Sequence, residues 1–180
     1  FFIVTAVEAQ VFTVGPKLGI SNTTLSLKDN IDAYEAGDSK FNDIPQALAA
    51  RDQVVQCIDS IIDTYNADPE DVTLIGFSQG TILSFAVALS YPKKVKNIVG
   101  LSGYISQEML TPGYEKNDFS HLNVYTSHGS VDQVIPVSWA QKTPGFLKEL
   151  NIECAYSEFP VGHGVAPDNF NEFKAWLIRQ

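Results

Sequence analysis

Residues 73–80, Thr-Leu-Ile-Gly-Phe-Ser-Gln-Gly, read as an apolar strand that runs into Gly-x-Ser-x-Gly and then, from about Thr81, into an apolar helix. A serine on such a sharp strand-to-helix turn takes strained dihedrals. Glycines two residues to either side are expected because Cβ atoms there would strike neighbouring elements. The turn also sets Ser78 at a helix N-terminus, where free N–H groups and partial positive charge favour a developing oxyanion. The backbone N–H of Gln79 is the expected oxyanion donor, while the Gln79 side chain reads equally well as a substrate contact or as a polar residue that tolerates the turn. Gly-x-Ser-x-Gly alone is a weak signal; the strand before it and the helix after it are what point to nucleophilic chemistry.

A serine hydroxyl is a poor nucleophile until a base takes its proton, and the chain has three histidines. Where a nucleophile sits on such an elbow, the acid and then the histidine follow it in chain order. His121 precedes a strand and reads as a surface residue. His128 lies just past a strand but ahead of the best acid, so it reads as structural, fixing the turn at Gly129. His163 remains, in Pro160-Val161-Gly162-His163-Gly164-Val165, a glycine-flanked loop after a strand and before the last helix. The acid between Ser78 and His163 that falls at a strand's end is Asp132; Asp118 precedes its strand, and Glu149 and Glu153 flank a helix end. Taken alone, Asp132 reads as a turn or N-cap residue ahead of the helix at Ser138. Three independent placements agreeing is what favours catalytic roles for Ser78, Asp132 and His163.

The elements that must carry these residues alternate. Short apolar, β-branched runs recur at 2–7, 72–76, 95–101, 122–127 and 152–159, each the length of a buried strand. Between them, 44–65, 79–91, 138–150 and 169–178 carry helical periodicity, the second apolar nearly all round. The order predicts parallel strands joined by right-handed crossovers, with helices on both faces of an open sheet. The stretch 10–43 is polar and rich in Gly, Ser, Asn and Asp, and reads as a long surface loop.

The 180 residues, 44% hydrophobic, suffice for one core and one domain over 1–180. A formal charge of −9, with the acidic residues scattered, argues against nucleic acid as a partner. No run is long and apolar enough to span a bilayer, and the first seven residues have neither a basic leader nor a cleavage-like end. Cys57 and Cys154 lack metal spacing and read as buried free thiols. That fits a cytoplasmic protein. The Asn22-Thr23-Thr24 sequon would matter only in a secreted eukaryotic protein.

Gly76-Phe77-Ser78-Gln79-Gly80, Leu101-Ser102-Gly103-Tyr104, the run from His128-Gly129 through Asp132 to Val134-Ile135-Pro136, and Gly162-His163-Gly164 together resemble the phospholipase/carboxylesterase group that includes acyl-protein thioesterases. The similarity runs from about Phe41 to the C-terminus, with four motifs in order. It implies a three-layer α/β-hydrolase sandwich with a mostly parallel sheet, working without a cofactor or metal. The substrates it implies are carboxylic esters, lysophospholipids or S-acylated proteins, and a homodimer is an admissible assembly. Ser102 belongs to the second of these motifs as a turn residue. Val134, Ile135 and the pair Met109-Leu110 are candidates for an acyl pocket, although core or loop packing is the simpler role for each.

The front of the chain departs from the resemblance. Family members usually begin with a strand pair and a strand ending in a His-Gly loop that supplies a second oxyanion donor. Those N-terminal strands are expected to be lacking here, and the absent strand would normally lie between the strand at 2–7 and the one leading to Ser78. A central gap would leave two rows of backbone groups unpaired. Three arrangements would resolve it: a fragment, which is the favoured one; a strand supplied by another copy or a cleaved peptide; or the first strand moved beside 72–76. The leading expectation is a serine carboxylesterase. A thioesterase, or an impaired hydrolase that binds without turnover, are the alternatives.

Overall fold

The computed structural model describes Phe2–Val7, Gln10–Val14, Asn22–Thr24 and residues 44–180. These three N-terminal strands, β1 to β3, are followed by α1 (Ile44–Tyr65), β4 (Val72–Phe77), α2 (Gln79–Ser90) and β5 (Asn97–Leu101). After them come β6 (Asn123–Gly129), α3 (Val137–Ala140), α4 (Thr143–Glu149), β7 (Cys154–Phe159) and α5 (Pro167–Leu177). The strands form one seven-stranded sheet in the order β3-β2-β1-β4-β5-β6-β7. Neighbours from β1 through β7 on the right-hand side of that order pair in parallel, while β2 is antiparallel to both β1 and β3.

Alternate residues of the central strands feed opposite layers, as the two-residue period of a strand requires. Leu74 and Ile98 join the core beneath α1, α2 and α4, whereas Val99, Leu101 and Tyr125 pack with Phe173 and Leu177 of α5 on the other face. The helix α2 lies between the sheet and α1, which is why it is apolar all round: every residue from Gly80 to Ser90 is buried. In α1 the buried set Ala47, Ala50, Arg51, Val54, Ile58 and Ile61 keeps a three- or four-residue spacing, one stripe on one face. Asn66 closes that helix in the left-handed region (φ 48°), and the next N–H, from Ala67, returns to the carbonyl of Ile62. Arg51 is buried to 6% exposure; it donates to the Met109 carbonyl oxygen at 2.7 Å, pairs with Asp52 and lies over the Tyr91 ring. It thereby ties the segment after β5 to α1.

The structure differs from the sequence expectations at three places. First, part of the stretch read as loop is strand: Gln10–Val14 and Asn22–Thr24 extend the sheet beyond β1, and the rest of 10–43 lies outside the described residues. The edge strand β3, Asn-Thr-Thr, has no apolar residue to announce it, and β2, Gln-Val-Phe-Thr-Val, is only five residues long within a polar stretch. Second, the expected central gap is not there. β1 pairs directly with β4, Phe2 opposite Val72 through Ala6 opposite Gly76, so the backbone groups on that side of β4 have partners. The first strand thus stands beside β4, the position that the third arrangement gave it. Third, the helix expected at 138–150 is two helices. Pro144 has no N–H to give the carbonyl four residues back, and its ring crowds that carbonyl, so the chain breaks after Ala140 and restarts with proline in the first turn of α4.

Candidate active site

Ser78 stands between β4 and α2 at φ 55° and ψ −118°. A residue with a Cβ holds that conformation only where its surroundings impose it. Here they do: the Ser78 N–H donates to the Leu101 carbonyl at 2.8 Å, and its own carbonyl accepts the N–H groups of Thr81 and Ile82, the first bonds of α2. The turn is tight enough that a Cβ at Gly76 would lie 2.4 Å from the Gly80 carbonyl oxygen and 2.5 Å from the Thr81 nitrogen. Thr81, fully buried, fastens the same junction. Its hydroxyl lies 2.8 Å from the Gly76 carbonyl and 2.7 Å from that of Leu101, and accepts the Leu101 N–H at 2.8 Å. Gln79 opens α2, so its N–H is one of the first-turn donors with no helical acceptor behind it.

Ser78 Oγ lies 2.9 Å from His163 Nε2, and His163 Nδ1 lies 2.7 Å from Asp132 Oδ2. The three residues are 85 and 31 positions apart in these two contacts, so only the fold brings them together. The Phe77 ring, 4.9 Å from the imidazole centroid, packs against His163 from the β4 side. The Asp132 side chain is entirely out of solvent. Its second oxygen, Oδ1, accepts the N–H groups of Val134 at 2.8 Å and Ile135 at 2.9 Å. Burial alone would raise the carboxyl's pKa, but the hydrogen bond from His163 and those from the Ile135 and Val134 N–H groups outweigh it and hold it below the ordinary value.

The loops that carry Asp132 and His163 touch backbone to backbone. Ser130 and Val131 donate to the carbonyls of Phe159 and Val161, and a Cβ on Gly129 would fall 2.2 Å from the Gly162 carbonyl oxygen. The His163 loop is anchored on its far side by polar contacts at the start of α5, those of Asn169 buried and those of Glu172 nearer the surface. There Asn169 Oδ1 accepts from Ser127 at 3.0 Å and from Tyr125 at 3.2 Å, and Glu172 accepts from Tyr125 and Ser157.

Of the other residues singled out from sequence, His121 is exposed and donates from Nε2 to the Pro92 carbonyl. Ser102 is buried at φ 52°, a turn residue whose N–H donates to Ser127. Met109, Leu110 and Ile135 belong to the hydrophobic core, and Val134 is exposed. Cys57 and Cys154 are half-buried free thiols rather than fully buried ones, each raised in pKa by burial, Cys154 to about 12. Thr81, Phe77 and Asn169 were not identified from sequence as supports of the site, because each acts through a partner far along the chain. His128 was read from the sequence as structural, fixing the turn at Gly129; its contacts to Asp132 and Ile135 were not part of that reading.

A cavity of about 480 Å³ is lined by Tyr104, Ile105, Trp139, Lys142 and Phe146, among others. Its wall begins next to the elbow: Gly103 abuts the Ser78 carbonyl, where a Cβ would come within 2.8 Å, and Tyr104 follows it. No group of His, Cys, Asp and Glu among the described residues is arranged to hold a metal, and no helix among them is long and apolar enough to cross a membrane. A hydroxyl bonded to an imidazole that is itself bonded to a buried carboxylate is an arrangement able to pass a proton from oxygen to nitrogen as the oxygen attacks an electrophile.

The chain matches the Phospholipase/Carboxylesterase family over residues 32–178. It is 27% identical to Carboxylesterase SOBER1 of Arabidopsis thaliana, over 71% of this chain and 58% of that protein. With Acyl-protein thioesterase 1 of Saccharomyces cerevisiae the identity is 32%, over 61% of this chain and 49% of that protein. The crystal structure of Arabidopsis thaliana SOBER1 superposes with a TM-score of 0.65 at 28% identity, covering 76% of this chain and 65% of that one. The chain thus spans about half the length of the curated relatives it matches. On the match over 32–178 and the α/β-hydrolase architecture, the chain belongs to the phospholipase/carboxylesterase family.

Proposed function

We infer that this chain is a serine hydrolase of carboxylic esters, in which Ser78 is the nucleophile, His163 the general base and acid, and Asp132 the orienting acid. The single observation that carries the reading is the unbroken path Ser78 Oγ to His163 Nε2 (2.9 Å) and His163 Nδ1 to Asp132 Oδ2 (2.7 Å), starting from a serine at positive φ. As Ser78 Oγ bonds to the substrate carbonyl carbon, its proton passes to His163 Nε2, and the oxyanion forms against the Gln79 N–H at the start of α2. The tetrahedral species collapses, His163 returns the proton to the departing alkoxide, and an acyl-Ser78 ester remains. A water molecule, deprotonated by the same nitrogen, then releases the carboxylic acid. Asp132 keeps the His163 hydrogen on Nδ1, so that Nε2 is free to accept.

The cavity that starts at Tyr104 has an apolar side, Tyr104, Ile105, Trp139 and Phe146, which suits an acyl or alcohol group, and a polar side that includes Gln107, Glu108 and Lys142. Its size is within the usual range for ligand sites, and the residues of the Ser78–His163–Asp132 path do not line it. A thioester is the second reading. The same steps expel a thiolate, and one of the relatives is named an acyl-protein thioesterase.

A fluorophosphonate probe tests the reading directly. The folded chain should label once, and Ser78→Ala should abolish the label and lower kcat on p-nitrophenyl esters by about 10⁶-fold. A folded chain that does not label would instead support a binding protein without turnover. Rates over p-nitrophenyl esters from acetate to palmitate, measured beside an acyl-CoA, separate ester from thioester preference.

A further inference from the structure

The side chain of His128, next to last in β6, is wholly shielded from solvent. Its Nε2 lies 2.9 Å from the Ile135 carbonyl oxygen and 3.3 Å from Asp132 Oδ2. Both are acceptors, so Nε2 carries the hydrogen and shares it, with the branch to Asp132 the longer and weaker one. Nδ1 is buried and has no hydrogen-bond partner among the described residues. The tautomer with hydrogen on Nε2 and none on Nδ1 is therefore the one that leaves no buried N–H without an acceptor.

The contacts of Asp132 then come to four donors on two oxygens. Val134 and Ile135 N–H serve Oδ1, and His163 and His128 serve Oδ2. Ile135 is gripped at both ends of its backbone, its N–H by Asp132 and its carbonyl by His128. The loop from Gly129 to Val134 is thereby closed by one side chain.

We propose that His128 is a positioning residue for the orienting acid: its Nε2–H closes the Asp132 loop at Ile135 and holds Oδ2 facing His163. The proposal rests on the catalytic reading of Asp132 given above. His128 touches no reacting atom and acts through Asp132 alone.

Two variants separate a donor role from a packing role. His128→Leu keeps much of the volume and removes the donor, whereas His128→Gln places an amide nitrogen as many bonds from Cβ as Nε2 is. With p-nitrophenyl butyrate, His128→Leu should lower kcat about ten- to a hundredfold, the range typical when an outer partner of a functional group is removed. KM should stay within about twofold, because the loss falls on the chemical steps rather than on binding. His128→Gln should recover most of the rate. Thermal melts show whether each variant is folded.

A folded His128→Leu with unchanged kcat, or a His128→Gln no better than His128→Leu, overturns the proposal while leaving the catalytic reading in place. A wild-type chain inert to the fluorophosphonate overturns both. Should His128→Leu fail to fold, ¹⁵N shifts of the wild-type imidazoles decide. Hydrogen on Nε2 with Nδ1 bare is the expected state of His128, and the opposite tautomer rules the donor role out.

Discussion

Replacing Asp132 with Asn should lower kcat for ester hydrolysis by about 10⁴-fold, the size of effect seen when an orienting acid loses its charge and the histidine takes the wrong tautomer. The local geometry gives the reason. With its oxygen toward the Val134 and Ile135 N–H groups, an Asn at 132 keeps the loop but turns its NH₂ toward the Nδ1 of His163. The imidazole must then carry its hydrogen on Nε2, where it can no longer accept from Ser78. With the amide reversed, His163 is served but two backbone N–H groups face another donor. In the first orientation the NH₂ also meets the His128 Nε2–H, so each orientation sets donor against donor, which costs about 1–3 kcal/mol of stability as well. The check is kcat together with a thermal melt. An Asp132→Asn chain that hydrolyses esters at the wild-type rate would remove Asp132 from the mechanism.

The same carboxylate sets a pH dependence. Its pKa in the folded chain lies below the ordinary value of 3.8, so on acidification the unfolded chain takes up the proton first. The stabilisation that Asp132 provides is complete above the unfolded pKa and is lost as pH falls through the lower, folded one. Below about pH 4 the wild-type melting temperature should fall more steeply than that of Asp132→Asn, which has no carboxyl at this position to titrate. Parallel slopes in the two chains would show that other groups carry the acid sensitivity.

The place of Ser78 on a strand-to-helix turn was legible in the sequence because its backbone demand lies in one short motif: the collision that excludes a side chain at Gly76 involves atoms only four and five residues away. Asp132 and His163 were legible through order along the chain, each at the end of a strand whose apolar run is itself visible. What supports them was hidden, since Thr81 bonds to a strand 20 residues on and the Tyr125 hydroxyl to α5, 44 residues on. His128 shows the limit most clearly. Its place ahead of the acid excluded it as the base, and no sequence signal says that its ring also reaches Ile135. The sheet fared similarly. The buried parallel strands announce themselves as unbroken apolar runs, but β3 is Asn-Thr-Thr and β2 is only five residues long within a polar stretch, and no residue of β1 specifies that it pairs with β4.

The contact between the Asp132 and His163 loops yields the second large effect. Gly129→Ala should reduce kcat by about 10²-fold or more, because a misplacement of about 1 Å in a reacting constellation is enough for that loss. The added Cβ would sit 2.2 Å from the Gly162 carbonyl oxygen and 2.3 Å from that of Val161. Both obstacles are backbone, so no side-chain rotation relieves them, and the loop bearing His163 has to move away from the loop bearing Asp132. The 2.7 Å bond between those residues lies directly across the widened seam. Overpacking of this kind also costs about 1–3 kcal/mol of stability. Gly164→Ala supplies the control on the other side of His163, where a Cβ has no heavy atom within 4 Å. That variant should keep the wild-type rate within about twofold. If both alanine variants slow ester hydrolysis alike, the loss reflects stiffening of the glycine-flanked loop. If only Gly129→Ala does, it is the spacing between the two loops that sets the rate.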